Sequence, residues 1–361
     1  NGQVNPLYPS LTENPNLTWE KTRTHNIGFD LTMWRDLLTL EFDVFYNYTY
    51  DIIGQNGADM PPSMGSHYPT YINRNRADAK GIDVMIGHRN DFKLAGRTFN
   101  YGAKMNITWA KNRWLRYNDS PNVPDYQKLT GKPVGAQSIF IADGLFQTEE
   151  EIDNAAWRGS KRPRLGDIKY RDLNGDNIID EKDRGYFGKS NRPEFTTGLT
   201  LYGNWNGFDF NVLFTGALKS EVSMASTYYN GNDDTTILSR LFKSNSNSPR
   251  YLAEGAWRPD NTGGEYPRLS VNPPNNDNGW ASTFWIRDGK YIRLKSAQIG
   301  YTIPSNIITK AGISQARIFV EGSNLFTLSG LPEGIDPEMP QVTNAYYPQQ
   351  RTYMGGISLT F

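Results

Sequence analysis

One run in the middle of the chain places oxygen-bearing side chains at intervals that suit a hard cation. In Asp172-Leu-Asn174-Gly-Asp176-Asn-Ile178-Ile-Asp180-Glu-Lys-Asp183, acids or amides occupy loop positions 1, 3, 5, 9 and 12, and Ile178 stands at position 7, where a backbone carbonyl serves. The chemistry is that of an EF-hand calcium loop with two departures. Asn177 replaces the glycine of the sharp turn, which Asn can also make because it tolerates positive φ, and Asp183 replaces the longer bidentate Glu. The expectation is Ca²⁺ held by Asp172, Asn174, Asp176, the Ile178 carbonyl, Asp180 and Asp183 as a structural staple. The bland alternative is an acidic solvated turn.

A second set of residues could recognise an organic ligand. Tyr228, Tyr229, Trp257, Tyr266 and Trp280 lie in polar, irregular segments, where aromatic faces can stack on sugar rings or pack on one another. The three histidines, His25, His67 and His88, are scattered and form no ligand set, and Gly188-Lys189-Ser190 lacks the first glycine of a phosphate-binding loop. Asn47-Tyr-Thr49 and Asn106-Ile-Thr108 have the spacing of glycosylation sites but fall inside expected strands. No nucleophile, base and orienting group occur together; Asp233, Asp234 and Glu254 are the only carboxylates that a hydrolytic site could use, and nothing pairs them with a base.

The elements that would position these residues are long amphipathic strands. Leu38, Leu40, Phe42, Val44, Tyr46, Tyr48, Tyr50 and Ile52 alternate with Thr39, Glu41, Asp43, Asn47, Thr49 and Asp51, and only Phe45 breaks the period. A strand in a soluble protein usually has about 5 to 6 residues, whereas a tilted strand crossing a bilayer needs about 9 to 11. The same alternation predicts strands at 23–34, 79–89, 97–112, 195–204, 207–216, 290–303, 315–328 and 349–361. In the seventh, Arg293 and Lys295 share a phase with Ala297, Ile299 and Tyr301, so either these cations stand above the lipid or a bulge switches faces. Short connections (34–37, 90–96, 203–207, 304–314) alternate with long ones (53–78, 113–194, 217–289, 329–348), the asymmetry of outer-membrane barrels with short periplasmic turns and long extracellular loops. A short helix is expected near 235–242.

Composition agrees. The 38 basic and 38 acidic residues cancel, which removes the electrostatic case for nucleic acid as a partner. No apolar run is long enough for a transmembrane helix, and there is no cysteine for disulfides or thiolate metal sites. With 21 Tyr, 17 Phe, 9 Trp and 34 Gly, the chain carries the girdle aromatics of a membrane barrel. The start, Asn-Gly-Gln-Val-Asn-Pro, is not a signal peptide.

Several dispersed stretches carry a family resemblance: 14–20 (NPNLTWE), 144–147 (GLFQ), 166–170 (GDIKY), 172–176 (DLNGD), 288–295 (DGKYIRLK) and the closing 351–361. Together they resemble the C-terminal part of the barrel of SusC/RagA-type TonB-dependent transporters of Bacteroidetes. The resemblance implies an all-β, transmembrane antiparallel barrel of 22 strands, of which this chain supplies about the last nine. It further implies residence in the outer membrane, import of glycans or oligopeptides without covalent chemistry, a SusD-like surface lipoprotein as lid, and energy from TonB-ExbB-ExbD. The sequence departs from the family in lacking a plug, a TonB box and the early strands, so a fragment of a longer polypeptide is expected, with 1–361 as barrel and 113–194 and 217–289 as extracellular loops. The rival readings are an outer-membrane barrel enzyme and a soluble carbohydrate-binding β-sandwich.

Overall fold

The computed structural model describes residues 14–55, 71–159, 162–188, 190, 192–224, 241–242, 248–270, 276–309, 312–339 and 349–361. Nine strands form one sheet: β1 Lys21–Met33, β2 Leu38–Gln55, β3 Tyr71–Leu94, β4 Arg97–Arg116, β5 Phe195–Trp205, β6 Phe208–Leu218, β7 Tyr291–Thr302, β8 Gln315–Ser329 and β9 Thr352–Thr360. Their order in the sheet is their order in the chain, every pair is antiparallel, and β1 and β9 are its edges. No helix among the described residues is long and apolar enough to cross a membrane.

Register shows why the alternation in the sequence matters. Leu31, Leu40, Ile86, Met105, Leu199, Phe214, Leu294 and Phe326 are successive cross-strand partners. The adjacent row on the other face runs Asp30, Glu41, Met85, Asn106, Gly198, Thr215, Arg293 and Thr327. One face is thus apolar across eight strands and the other mostly polar. The apolar face is left uncovered, with Ile27 80%, Val320 61% and Ile357 67% exposed, an arrangement suited to lipid and not to water. The exception in β2 is explained by its partner. Phe45 pairs with Gly81 and lies over it on the inner face, where a Cβ would come within 2.4 Å of the ring.

Aromatic pairs bracket the apolar band. On β4 and β5, Phe99 pairs with Trp205 at the short-turn end and Trp109 with Phe195 at the long-loop end. The rise from one pair to the other, about ten residue steps of about 3.3 Å, is about 33 Å, which a strand tilt of about 40° reduces to roughly the 25 Å band of an outer-membrane barrel.

One strand is longer than the sequence reading has it, and the two alternatives left open in another are decided. The strand expected at 79–89 extends from Tyr71 to Leu94, because β2 also continues to Gln55 past a bulge at Asp51 (φ 58°). Asn73 clips the extension, its amide donating to the carbonyl oxygens of Thr18 and Asp51 at 2.7 and 2.6 Å. In β7 a bulge between Leu294 and Ser296 switches faces, so Leu294 and Ile292 point outward and Arg293 inward. The short turns use positive φ where expected: Asn206-Gly207 has φ of 51° and 85°, the hairpin geometry that suits the twist of the flanking strands. The helix expected at 235–242 lies outside the described residues but for its last two. Short helices occur instead at Glu149–Asp153, Arg250–Gly255 and Ser305–Ile308.

Candidate functional site

At the long-loop end the connections fold together into a module with its own core. Phe140, Leu145, Ile168, Tyr170, Ile179, Val222, Met224, Leu252, Trp257, Tyr266, Trp285 and Ile335 form one buried cluster. Three two-stranded ribbons frame it: 138–140 with 184–186, 142–145 with 168–170, and 221–223 with 286–288. The dispersed sequence stretches now acquire physical roles. Leu145 and Phe146 are buried and the Gln147 side-chain oxygen accepts from the Trp257 indole at 3.1 Å. Gly166, at φ 81°, lies under the Trp257 ring, 2.5 Å from where its Cβ would be. Asp167 accepts from the Asn278 amide at 2.9 Å, Asn278 accepts from the Ile168 backbone N–H at 2.8 Å, and the fully buried Trp285 donates to the Asn278 carbonyl at 2.8 Å. This buried polar network has its partners inside the module, which fixes the geometry of segments more than 100 residues apart.

The sequence candidates distribute across this module. Tyr228, Tyr229, Asp233 and Asp234 lie outside the described residues. Trp257 and Tyr266 are 6% and 5% exposed and belong to the core, Trp257 against Gly166 and Tyr266 against Tyr251 and Trp285. Trp280 is half-buried, stacked on Phe140 at 4.6 Å with the Arg158 guanidinium 4.8 Å from its ring. The cavity it lines with Trp157, Arg158 and Asp167 is about 30 Å³, room for water rather than for a sugar. A wider polar cleft of about 500 Å³, lined by Asp143, Thr148, Glu151, Asn154, Lys169 and Arg171, opens beside Asp172. Glu254 faces Arg250 at 2.7 Å, an ordinary helical ion pair.

The Asp172–Asp183 loop is wound on its own backbone amides. Asp172 accepts from Gly175 and Asn177 N–H at 2.7 and 2.8 Å, Asn174 from Asp176 N–H at 3.0 Å, and Asp176 from Ile178 N–H at 2.9 Å. Asn177 takes the positive φ expected of it, 62°. Asp183 is fully buried and accepts from Leu173 and Asp180 N–H at 2.8 and 2.9 Å. The Lys182 ammonium stands 3.3 Å from Asp176 and 3.6 Å from Asp180. The hydrogen bond from Asn174, with help from Ile178 N–H and Lys182, holds the Asp176 carboxyl below the ordinary range against the effect of burial. Carboxylate, amide and carbonyl oxygens are therefore present along the loop, a donor set that fits Ca²⁺ in chemistry. Their arrangement gathers no metal-holding group of three acids among the described residues.

The inner wall carries a constellation that the alternation pattern had left ambiguous. Arg293, 2% exposed, donates to Asp336 and Gln349 at 2.7 Å each and to Thr327 at 2.9 Å, with Glu338 at 3.0 Å. Lys295 reaches Glu338 at 3.0 Å. Two cations of the wall thus grip two acids of the 330–339 segment, tying the module to the barrel. Burial pushes the Glu338 carboxyl up, but hydrogen bonds from Lys295 and Gln349 and the charges of Arg293 and Lys295 outweigh it and hold it below the ordinary range. Nearer the short-turn end, Arg317 bridges Asp209 at 2.9 Å and Gln298 at 2.7 Å, and Gln298 donates to Glu321 at 2.8 Å. The signal that could have identified Arg293 was the break in outward phase at 293–295, readable once a bulge is granted.

No protein-family model matches the chain. Over 384 residues it is 25% identical to TonB-dependent receptor P3 of Formosa agariphila, covering 99% of this chain and 36% of that protein. It is 24% identical over 362 residues to TonB-dependent receptor SusC of Bacteroides thetaiotaomicron, covering 96% of this chain and 32% of that one. Among solved structures it is similar to the RagAB peptide transporter, with a TM-score of 0.70 and 20% identity over 97% of this chain and 36% of that one. The RagAB peptide importer in its open-open state gives 0.71, also at 20% identity, over 98% and 36%. The chain thus spans about a third of the length of the proteins it matches, whose names are those of TonB-dependent receptors. The lipid-facing row, the bracketing aromatics and these relatives agree: over nearly its whole length the chain is similar to TonB-dependent receptors, and its sheet has the form of a portion of an outer-membrane β-barrel.

Proposed function

We propose that the complete protein is an energy-coupled importer of oligomeric nutrients, glycans in the first instance and oligopeptides as the alternative, working beneath a SusD-like lipoprotein and driven through TonB-ExbB-ExbD. The observation that carries this is the inner face: a mostly polar row over eight strands is suited to wall an aqueous lumen, and Arg293 with Lys295 anchors the loop module over its mouth. On this reading the long-loop end is extracellular. Short turns at one end and a folded module at the other support the transport reading. The peptide alternative draws on the fold likeness to RagAB. The test is uptake of labelled oligosaccharide and of labelled oligopeptide by cells with and without the complete protein. Energy-dependent accumulation of either class names the substrate, and unchanged uptake of both overturns the reading.

We further propose that Ca²⁺ binds the Asp172–Asp183 loop, with Asp172, Asn174, Asp176, the Ile178 carbonyl, Asp180 and Asp183 as donors, as a structural staple of the module. The loop's backbone is already turned for it, and Lys182 sits where a stronger cation would compete. Calorimetric titration of the chelated protein with Ca²⁺ tests this, and absence of heat would remove the metal.

A further inference from the structure

On the outward face, just past the Trp109–Phe195 level, the surface changes from apolar to cationic. Tyr46 pairs with Lys80 and Lys80 with Lys111, so two lysines stand at directly opposite positions of neighbouring strands, a like-charge pairing that is destabilising without an anion between them. Lys111 is 3.8 Å from Glu194, and Lys219 shares the same carboxylate at 3.9 Å while its ammonium stands 5.1 Å from the Phe195 ring. Among the described residues, Lys111 and Lys219 share this one carboxylate. The next pair outward, Asp78 with Arg113 at 3.2 Å, is neutral as a unit. Two strands away, Arg23 stands 5.2 Å from the Tyr50 ring. The excess is local: on β7 and β8 the outward positions at the same end are Ile292 and Leu328.

We propose that Lys80, Lys111 and Lys219 form a seat for the phosphate of an anionic lipid in the outer leaflet. The acyl chains would lie along the apolar column below, through Ile82, Trp109 and Ile107, while the ammonium groups reach the headgroup. This rests on reading the long-loop end as extracellular. Three features favour a lipid over a soluble anion or a protein. The cations begin where the aromatic girdle ends, Lys80 and Lys111 occupy the outward phase of β3 and β4 while Lys219 lies against the Phe195 ring, and the surface beneath them is continuous with the lipid-facing band. Lysine stems can lie on apolar surface while their heads meet the phosphate.

The test uses the complete receptor, delipidated and held in detergent, with native mass spectrometry scoring retention of bis-phosphorylated lipid A, of its dephosphorylated form, and of inorganic phosphate. The phosphorylated lipid should be retained preferentially. The triple change Lys80→Gln, Lys111→Gln, Lys219→Gln should lower that retention roughly a hundredfold, and Lys80→Gln alone about fivefold. Lys104→Gln on the inner face should leave it unchanged. Heat-modifiable migration reports folding; if the triple variant does not fold, Lys80→Gln alone decides. Equal retention of the dephosphorylated lipid, complete displacement by inorganic phosphate, or no loss in the lysine variants would overturn the proposal. Substrate uptake, measured in parallel, reports on the importer reading separately, because Lys80 and Lys111 stand on the outward phase of their strands.

Discussion

The barrel wall and the loop module are built on opposite plans. In the module, Phe146, Ile152, Leu252 and Trp285 are essentially inaccessible, and together with their neighbours they form a core like that of a soluble domain. In the wall, large apolar residues are the exposed ones, Ile299 at 57% and Leu328 at 66%, and the most thoroughly buried side chain of β7 is an arginine. Water drives the first arrangement through removal of apolar surface. The second is stable only where the surrounding medium is itself apolar and every backbone group is paired within the sheet. One chain therefore records two solvents, and the boundary between them runs through the aromatic pairs at Trp109 and Phe195.

The comparison is most severely tested by a cavity in the module. Trp285→Ala removes a fully buried indole and its bond to Asn278, at an expected cost of about 3–5 kcal/mol. In the reconstituted receptor the loops should become sensitive to protease while the strand content, read by circular dichroism, stays unchanged. Loss of strand content in parallel would mean that module and wall fold as one unit.

The wall is tested by neighbouring positions on opposite faces. Met105→Arg, in the middle of the apolar row, should cost about 2–4 kcal/mol, whereas Asn106→Arg on the inner face should cost far less. Equal costs would break the assignment of one face to lipid.

These contrasts also show what could be read from the sequence. The strands were legible because a half-buried strand has a period of two residues, and the alternation over 38–52 or 97–112 needs no knowledge of partners. Hairpins such as Asn206-Gly207 were legible for the same local reason. The module core was not, because Phe140, Trp257 and Trp285 come from segments far apart with no shared period, so their aromatic character reads equally well as a ligand platform. Trp257 and Tyr266 were candidates for stacking on sugars on that ground and lie in the core. The spacing of the Asp172–Asp183 loop was visible, but the approach of Lys182 to Asp176 and Asp180 depends on how the loop is wound. One local signal went unread: Thr148-x-x-Glu151 is a helix-start pattern, and the Thr148 hydroxyl does accept from Glu151 N–H at 3.1 Å.

Calcium sharpens the comparison because its proposed site belongs to the module alone. At about 100 times its Kd, Ca²⁺ should stabilise the module by about 2.7 kcal/mol if it binds only the folded state. A shift in the loop-protection midpoint that vanishes on chelation, and in Asp176→Asn falls sharply, would agree. A shift in the unfolding of the strands with no change in loop protection would place the metal elsewhere.

The smallest expected effect lies where the two regions meet. Glu338 has its carboxyl held below the ordinary value of 4.5 in the folded protein, so the folded state binds fewer protons there than the unfolded state at mildly acid pH. Its contribution is therefore full above the unfolded value and is lost as pH falls through the depressed folded value. Protonation weakens the grip of Lys295 and Arg293 on the 330–339 segment, and the module should loosen from the wall before either region unfolds. Hydrogen exchange across 330–339 should rise, relative to the strands, as pH is lowered from 6 toward 3.5. Glu338→Gln, which keeps hydrogen bonding but not the charge, should show raised exchange already at pH 6 and a flatter dependence below it. If the variant and the parent protein had the same profile, Asp336 with Arg293 would be sufficient to hold the segment, and the link between wall and module would be one ion pair with Glu338 as a bystander.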